Sequence, residues 1–190
     1  PAGGGSCAEP APDLTPDELH NRIAEAAQAV TGNGNNGFMI TTGFPVQQIF
    51  QMLLHQYGGT EFSDDATQAT WNSEAGVKAL TLMKELQEQY SQPNLEVDAE
   101  LNAFKAGTVG IVWNGIWQTT NLTGEGVEFN GMATAVPQMG DQMAVWAGSH
   151  QLALTQQANP DPCKDAAAGV FIRYLLDNSV EWARAGQIPA

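Results

Sequence analysis

The chain has 190 residues, 43% of them hydrophobic and 15% charged, a composition typical of a globular protein with a sizeable core. Its 21 acidic and 7 basic residues give a net charge of -14, which argues against a nucleic-acid partner because phosphate binding needs clustered Lys and Arg. No apolar run reaches the ~18 residues of a membrane span. No signal peptide is visible, and since the chain begins at Pro1 we expect an upstream segment to carry one.

Helices alternate with short strands along the chain, which predicts an α/β fold. The first helix has a capping box, with Thr15 at the N-cap, Pro16 at the first helical position and Glu18 three residues after the cap. The predicted elements, in chain order, are a linker over 1–14, helix 16–31, strand 38–41, helix 45–57, an irregular segment or short hairpin over 60–71, helix 73–90, helix 98–107, strand 109–113, a turn entering a helix over 114–122, strands 132–136, 143–146 and 151–155, and helices 164–176 and 179–185.

Two of the predicted helices have a clear apolar face. In the first helix it comprises Leu19, Ile23, Ala27 and Val30. In helix 73–90 it comprises Val77, Leu80, Met83 and Leu86.

Motifs for catalysis, metals and cofactors are missing from the sequence. Residues 32–37 (GNGNNG) match GxGxxG by letter, but a dinucleotide site needs a strand before the motif and a helix after it, and here the predicted order is reversed. His20, His55 and His150 are scattered, and the pair Asp64 and Asp65 lies in polar loop sequence. We therefore predict no metal, no cofactor and no enzymatic activity.

Aromatic residues at the predicted strand ends are the positive signal. Phe44 follows strand 38–41, Trp113 and Trp117 flank residues 114–116, and Trp146 precedes residues 147–150. In open α/β sheets, ligands bind outside the carboxyl ends of the strands. An aromatic ring beside amide and hydroxyl groups suits a sugar, whose C–H face stacks on the ring.

The polar groups expected to bond the sugar hydroxyls lie beside these rings. They are the side chains of Asn114, Gln118 and Ser149, and Gly148 and His150, which flank Ser149, are further candidate ligand-binding residues. The alternative for each tryptophan is a place in the core. Trp71 and Trp182 are predicted to be structural.

The order of several segments resembles the extracellular solute-binding proteins of ABC importers, the family that includes maltose-binding protein. The matching segments are 14–19 (LTPDEL), 57–59 (YGG), 71–77 (WNSEAGV), 104–107 (FKAG), 113–117 (WNGIW) and 185–190 (AGQIPA). The resemblance implies a type II periplasmic-binding-protein-like fold of two α/β lobes, with the ligand in the cleft between them. It places Trp117 at the position of a sugar-stacking tryptophan and Phe44 near that of another aromatic ligand contact.

Compared with that family, the chain lacks most of a first lobe. We therefore expect a linker or loop over 1–14, a ligand-binding lobe over 15–147, and a hinge crossing with a helical segment of the other lobe over 148–190. The family is extracellular, and that location suits a disulfide between Cys7 and Cys163; two separate thiols are the alternative.

The resemblance implies a monomeric substrate-binding component that captures a sugar or oligosaccharide by hinge closure. It would deliver the ligand to the permease subunits of an ABC importer, and it would be anchored to the membrane outside the cell or in the periplasm. Three alternatives remain open: a binding protein for another solute, such as glycerol phosphate or a polyamine; a carbohydrate-active enzyme; and an interaction domain with no small ligand.

Overall fold

The computed structural model describes residues 14–93, 95–123, 131–148 and 150–186. The helices are α1 Pro16–Val30, α2 Val46–Gln56, α3 Glu74–Tyr90, α4 Ala99–Lys105, α5 Thr119–Thr123, α6 Pro162–Asp177 and α7 Ser179–Ala183. The strands are β1 Asn36–Met39 and β2 Val109–Val112, and a 3-10 turn over Ile116–Gln118 precedes α5. No described helix is both long and apolar enough to cross a membrane.

The helix starts follow the capping residues that the sequence predicts. The Thr15 side chain accepts a hydrogen bond from the backbone N–H of Glu18, whose carboxylate in turn accepts from the backbone N–H of Thr15. Ser73 caps α3 by accepting from Gly76, and Asp161 caps α6 by accepting from Cys163. These side chains satisfy N–H groups that have no partner inside the helix.

The two strands pair in parallel. Asn36 lies opposite Val109, and Phe38 lies opposite Ile111. Both strands therefore end at the same edge of this sheet, where β1 is followed by its loop and β2 by Trp113. Helix α1 precedes β1, so the predicted order that rules out a dinucleotide site at residues 32–37 is confirmed.

The main core lies where α1 and α3 pack against β1 and α2 packs against α3. Its buried members are Ala27, Phe38, Ile40, Ile49, Met52, Leu53, Ala79, Leu82, Met83, Leu86, Tyr90 and Met139. Gly37 allows α1 to approach β1, because a Cβ atom there would lie 1.9 Å from the carbonyl oxygen of Ala27.

One predicted helix face is partly wrong. Met83 and Leu86 of α3 are buried, but Val77 is 59% exposed and Leu80 is 53% exposed. The buried side of α3 instead begins with Gly76 and Ala79. These small residues let the helix approach its neighbours closely: a Cβ at Gly76 would lie 2.0 Å from the Trp71 carbonyl oxygen.

The strands predicted at 132–136, 143–146 and 151–155 are also wrong. All three segments are irregular in the structure. The preference of apolar and β-branched residues for strands depends on a neighbouring strand to pair and pack with. These segments pair with no other strand within the described residues.

The chain divides into two compact units, the first within Pro1–Trp113 and Ala133–Trp146, the second within Asn114–Met132 and Ala147–Ala190. The core described above belongs to the first unit. The second unit contains α5, α6 and α7. The domain boundaries expected after residues 14 and 147 stay a prediction.

Candidate functional site

Phe44 is held at the carboxyl end of β1 in the first unit. The buried Thr41 donates its hydroxyl to the carbonyl of Glu96 at 3.2 Å, and Thr42 donates to the carbonyl of Leu95 at 2.7 Å. These bonds fasten the loop after β1 to the segment before α4. The side chain of Phe44 is 50% exposed, so an aromatic ring is presented at the predicted position.

Trp113 follows β2 and packs into the core of the first unit. Its ring meets that of Phe38 edge-on, with ring centroids 5.0 Å apart. It is partly buried against the same cluster as Phe38. The core alternative raised from the sequence therefore describes the observed contacts of Trp113, and its ligand role stays a prediction.

Trp117 lies in the second unit, in the 3-10 turn that leads into α5. Its indole ring lies against Gly115, where an added Cβ would be 2.1 Å from a ring carbon. The ring is partly exposed. Gly115 is therefore needed because any side chain would occupy the space of the indole ring.

The amide side chains of Asn114 and Gln118 make local hydrogen bonds within this part of the chain. The side-chain oxygen of Asn114 accepts from the backbone N–H of Gly115 at 2.8 Å. Gln118 is 7% exposed, and its side-chain oxygen accepts from Asn121 at 2.6 Å. Both amide oxygens are thus engaged in local hydrogen bonds, and the role of Asn114 and Gln118 as sugar contacts stays a prediction.

The residues predicted around position 148 divide between the two units. Trp146 is partly buried against the core of the first unit. Gly148 and His150 are exposed and belong to the second unit, and Ser149 lies outside the described residues. His150 stacks on Trp182, with ring centroids 5.4 Å apart and an interplanar angle of 29°.

The stack between His150 and Trp182 was not expected from the sequence. Trp182 was predicted to be structural from its place in an amphipathic helix, which carries no sign of a partner 32 positions earlier. The sequence signal for this region is Trp146, which directly precedes the passage from the first unit to the second.

The titratable groups form no metal-binding cluster in the part of the chain that the structure describes. No group of three His, Cys, Asp or Glu side chains there could hold a metal ion. Asp65 has a lowered pKa because it accepts hydrogen bonds from Ser63 and Thr67 in an exposed turn. Glu74 has a lowered pKa because Lys78 donates a hydrogen bond to it. These shifts belong to local turn and helix contacts.

Only one of the two cysteines of the predicted disulfide lies within the described residues. Cys163 is exposed in the first turn of α6. Cys7 lies outside the described residues, so the pairing stays a prediction.

Solved structures similar to this chain have the periplasmic-binding-protein fold. The cyclic α-maltosyl-1,6-maltose binding protein from Arthrobacter globiformis is 21% identical, with a TM-score of 0.61 over 92% of this chain and 44% of its own. An ABC transporter solute-binding protein from Agrobacterium radiobacter, in complex with ribitol, is 20% identical, with a TM-score of 0.59 over 87% of this chain and 44% of its own. A Listeria monocytogenes ABC substrate-binding protein in complex with cycloalternan is 23% identical, with a TM-score of 0.50 over 64% and 30%. The predicted fold class is confirmed, and the chain spans less than half the length of these proteins.

The fold is thus that of the periplasmic binding proteins. The sequence matches the family of bacterial extracellular solute-binding proteins over residues 11–188. The chain belongs to that family, as the sequence motifs predicted. No curated protein matches it significantly.

Proposed function

We propose that this chain is part of the substrate-binding component of an ABC importer that captures a sugar or oligosaccharide. The family supplies the role of an extracellular solute-binding protein. The similar structures from Arthrobacter, Agrobacterium and Listeria are described as binding a cyclic maltosyl-maltose, ribitol and cycloalternan. These descriptions favour a polyhydroxylated ligand for this chain as well.

The observation that carries the proposal is the geometry of the turn over Ile116–Gln118. It holds the partly exposed indole of Trp117 against Gly115, with Asn114 beside it. A pyranose ring would stack its C–H face on the indole, and its hydroxyls would exchange hydrogen bonds with neighbouring amides. Phe44 is the further candidate contact from the first unit.

The protein would release the ligand without changing it chemically. Closure around a hinge would raise its affinity by adding contacts, and the closed form would dock on the permease subunits. The protein would act as a monomer outside the cytoplasm, anchored to the membrane.

Isothermal titration of the full-length protein tests the proposal. The panel should contain linear and cyclic maltosyl oligosaccharides and ribitol, with glycerol phosphate and spermidine as the non-sugar alternatives. We expect saturable binding of at least one sugar or polyol, which is recovered chemically intact. Binding of glycerol phosphate or spermidine alone would contradict the sugar proposal, and turnover of a chromogenic glycoside would indicate an enzyme.

A further inference from the structure

The chain leaves the first unit after Trp113, comes back to it at Ala133 and leaves it again after Trp146. We call residues 133–146 the return segment. It contains no helix and no strand. Its position on the first unit must therefore be set by contacts other than a sheet ladder.

Gln56, the last residue of α2, binds the return segment with its side chain and its backbone. Its side-chain oxygen accepts from the backbone N–H of Met139 at 2.7 Å. Its side-chain nitrogen donates to the carbonyls of Pro137 at 3.1 Å and Ala144 at 2.9 Å. Its backbone carbonyl accepts from the N–H of Gln142 at 3.0 Å.

Gln56 is 1% exposed, so these bonds are made away from water. A primary amide offers two donors and an acceptor, and here both kinds of group are used. Losing the side chain would leave a buried N–H and two carbonyls without this partner, which costs more than the bonds themselves contribute. We call these four hydrogen bonds the Gln56 clamp. We expect the Gln56 clamp to hold the return segment in one conformation and to disfavour others.

The clamp brings two side chains of the return segment to the core. Met139 is 3% exposed within the main cluster, and Trp146, two residues after Ala144, is partly buried against the same cluster. Gly140 allows the close approach, because a Cβ there would lie 2.2 Å from the carbonyl oxygen of Gln56.

We propose that Gln56 is a positioning residue that sets the place of Trp146 at the passage from the first unit to the second. It does so by fixing residues 137–144, and it contacts no ligand itself. The effect on ligand affinity rests on the proposed function and on the sequence-based prediction that Trp146 contacts the ligand. The effect on Trp146 itself does not.

Fluorine NMR of the full-length protein labelled with 5-fluorotryptophan tests the proposal without a ligand. The Trp146 resonance is assigned by its loss in Trp146→Phe. In Gln56→Ala we expect this resonance to shift or broaden, and the amide of Met139 to exchange about tenfold faster or more. Gln47→Ala, exposed on the same helix, is the matched control and should change neither.

A purely structural role for Gln56 predicts a different result. The variant would then melt at a lower temperature, while the Trp146 resonance and the sugar dissociation constant would match those of the wild type. That result would overturn the proposal. If the sugar panel binds, we expect Gln56→Ala to weaken binding about tenfold, as loss of a positioned contact implies.

Two further measurements keep the proposal testable if Gln56→Ala does not fold. In the wild-type protein, the Met139 amide should exchange as slowly as that of Leu53 in α2; exchange at the rate of an exposed loop would overturn the proposal. Gly140→Ala should displace the segment with Gln56 intact and shift the Trp146 resonance in the same way, and an unchanged resonance would contradict it. A wild type that binds no sugar would contradict the proposed function alone.

Discussion

The ring of Trp113 meets the ring of Phe38 edge-on, with an interplanar angle of 89° and a centroid distance of 5.0 Å. Edge-to-face pairs of this kind stabilise a core beyond the area that they bury. Because Trp113 directly precedes the point where the chain leaves the first unit, this contact fixes the end of β2 on the core.

We expect Trp113→Ala to lower the free energy of unfolding by about 2–4 kcal/mol, since it removes a large, partly buried aromatic side chain. Urea unfolding followed by circular dichroism measures the change. Trp71→Ala is the control, because Trp71 is 48% exposed and its loss should cost less than about 1 kcal/mol. A variant at Trp113 that kept its stability and lost only ligand affinity would instead support the ligand role predicted from the sequence.

Alanine substitutions at Gly34 and Gly37, three positions apart, should lower the stability of the protein by different amounts. At Gly37 the added methyl would lie 1.9 Å from the Ala27 carbonyl oxygen, so α1 and β1 would have to separate. We expect Gly37→Ala to cost about 3 kcal/mol or more. Gly34 has a φ of +87 and no atom near its Cβ position, so Gly34→Ala should cost only the backbone strain of about 1–2 kcal/mol. Thermal unfolding of the two variants compares them, and equal costs would show that α1 does not approach β1 this closely.

How far the sequence predicts the structure depends on the range of the contacts. The starts of α1 and α3 were predicted because Thr15 and Ser73 bond to groups three residues away, within the span that a local pattern records. The segments at 132–136 and 143–146 were predicted as strands because their apolar residues suit a sheet. Instead, Ala144 in the second segment and Pro137 and Met139 between the two segments bond to Gln56, more than 80 positions earlier in the chain.

In the candidate site, too, local features could be predicted from the sequence and contacts between distant residues could not. Position at a strand end predicts Phe44 and Trp117 as ligand contacts; Phe44 is exposed and Trp117 is partly exposed, and their ligand role stays a prediction. The same rule also selected Trp113, which packs on Phe38, because position in the chain does not reveal the direction of a side chain. The partner of His150 could not be predicted, since its stack with Trp182 is a tertiary contact.

The Glu18 carboxylate at the start of α1 should make the stability of the protein depend on pH. Hydrogen bonds from the backbone and the hydroxyl of Thr15 lower the pKa of the Glu18 carboxyl, and Arg22 adds to the effect. A lowered folded-state pKa stabilises the protein above the ordinary value of about 4.3, and this contribution is lost as the pH falls through the lowered value.

Glu18→Ala should therefore melt below the wild type at pH 7, and the difference should narrow below about pH 4. Gln28→Ala, exposed on the same helix and without an ionisable group, should show a constant difference. Melting temperatures across this range measure both variants. A gap between Glu18→Ala and the wild type that stayed constant down to the most acidic folded sample would show that the ionised carboxylate contributes nothing.

The contact between Gly115 and Trp117 links a backbone position to the proposed ligand ring. A methyl at Gly115 would lie 2.1 Å from the indole, so Gly115→Ala must displace the ring from its place. We expect the sugar dissociation constant of the full-length protein to rise by about tenfold or more. Gly169→Ala in α6, where no atom lies near the Cβ position, should leave binding unchanged. Equal affinity in the two variants would show that the observed ring position is not the binding position.

The most direct test of sugar binding is isothermal titration of the full-length Trp117→Ala protein with the sugar that the wild type binds. We expect the dissociation constant to rise by about 10- to 100-fold, equivalent to about 1.4–2.8 kcal/mol, with little change in melting temperature. Trp117→Phe, which keeps an aromatic face, should recover most of the affinity. A dissociation constant equal to that of the wild type in Trp117→Ala would contradict the stacking of a sugar on this indole.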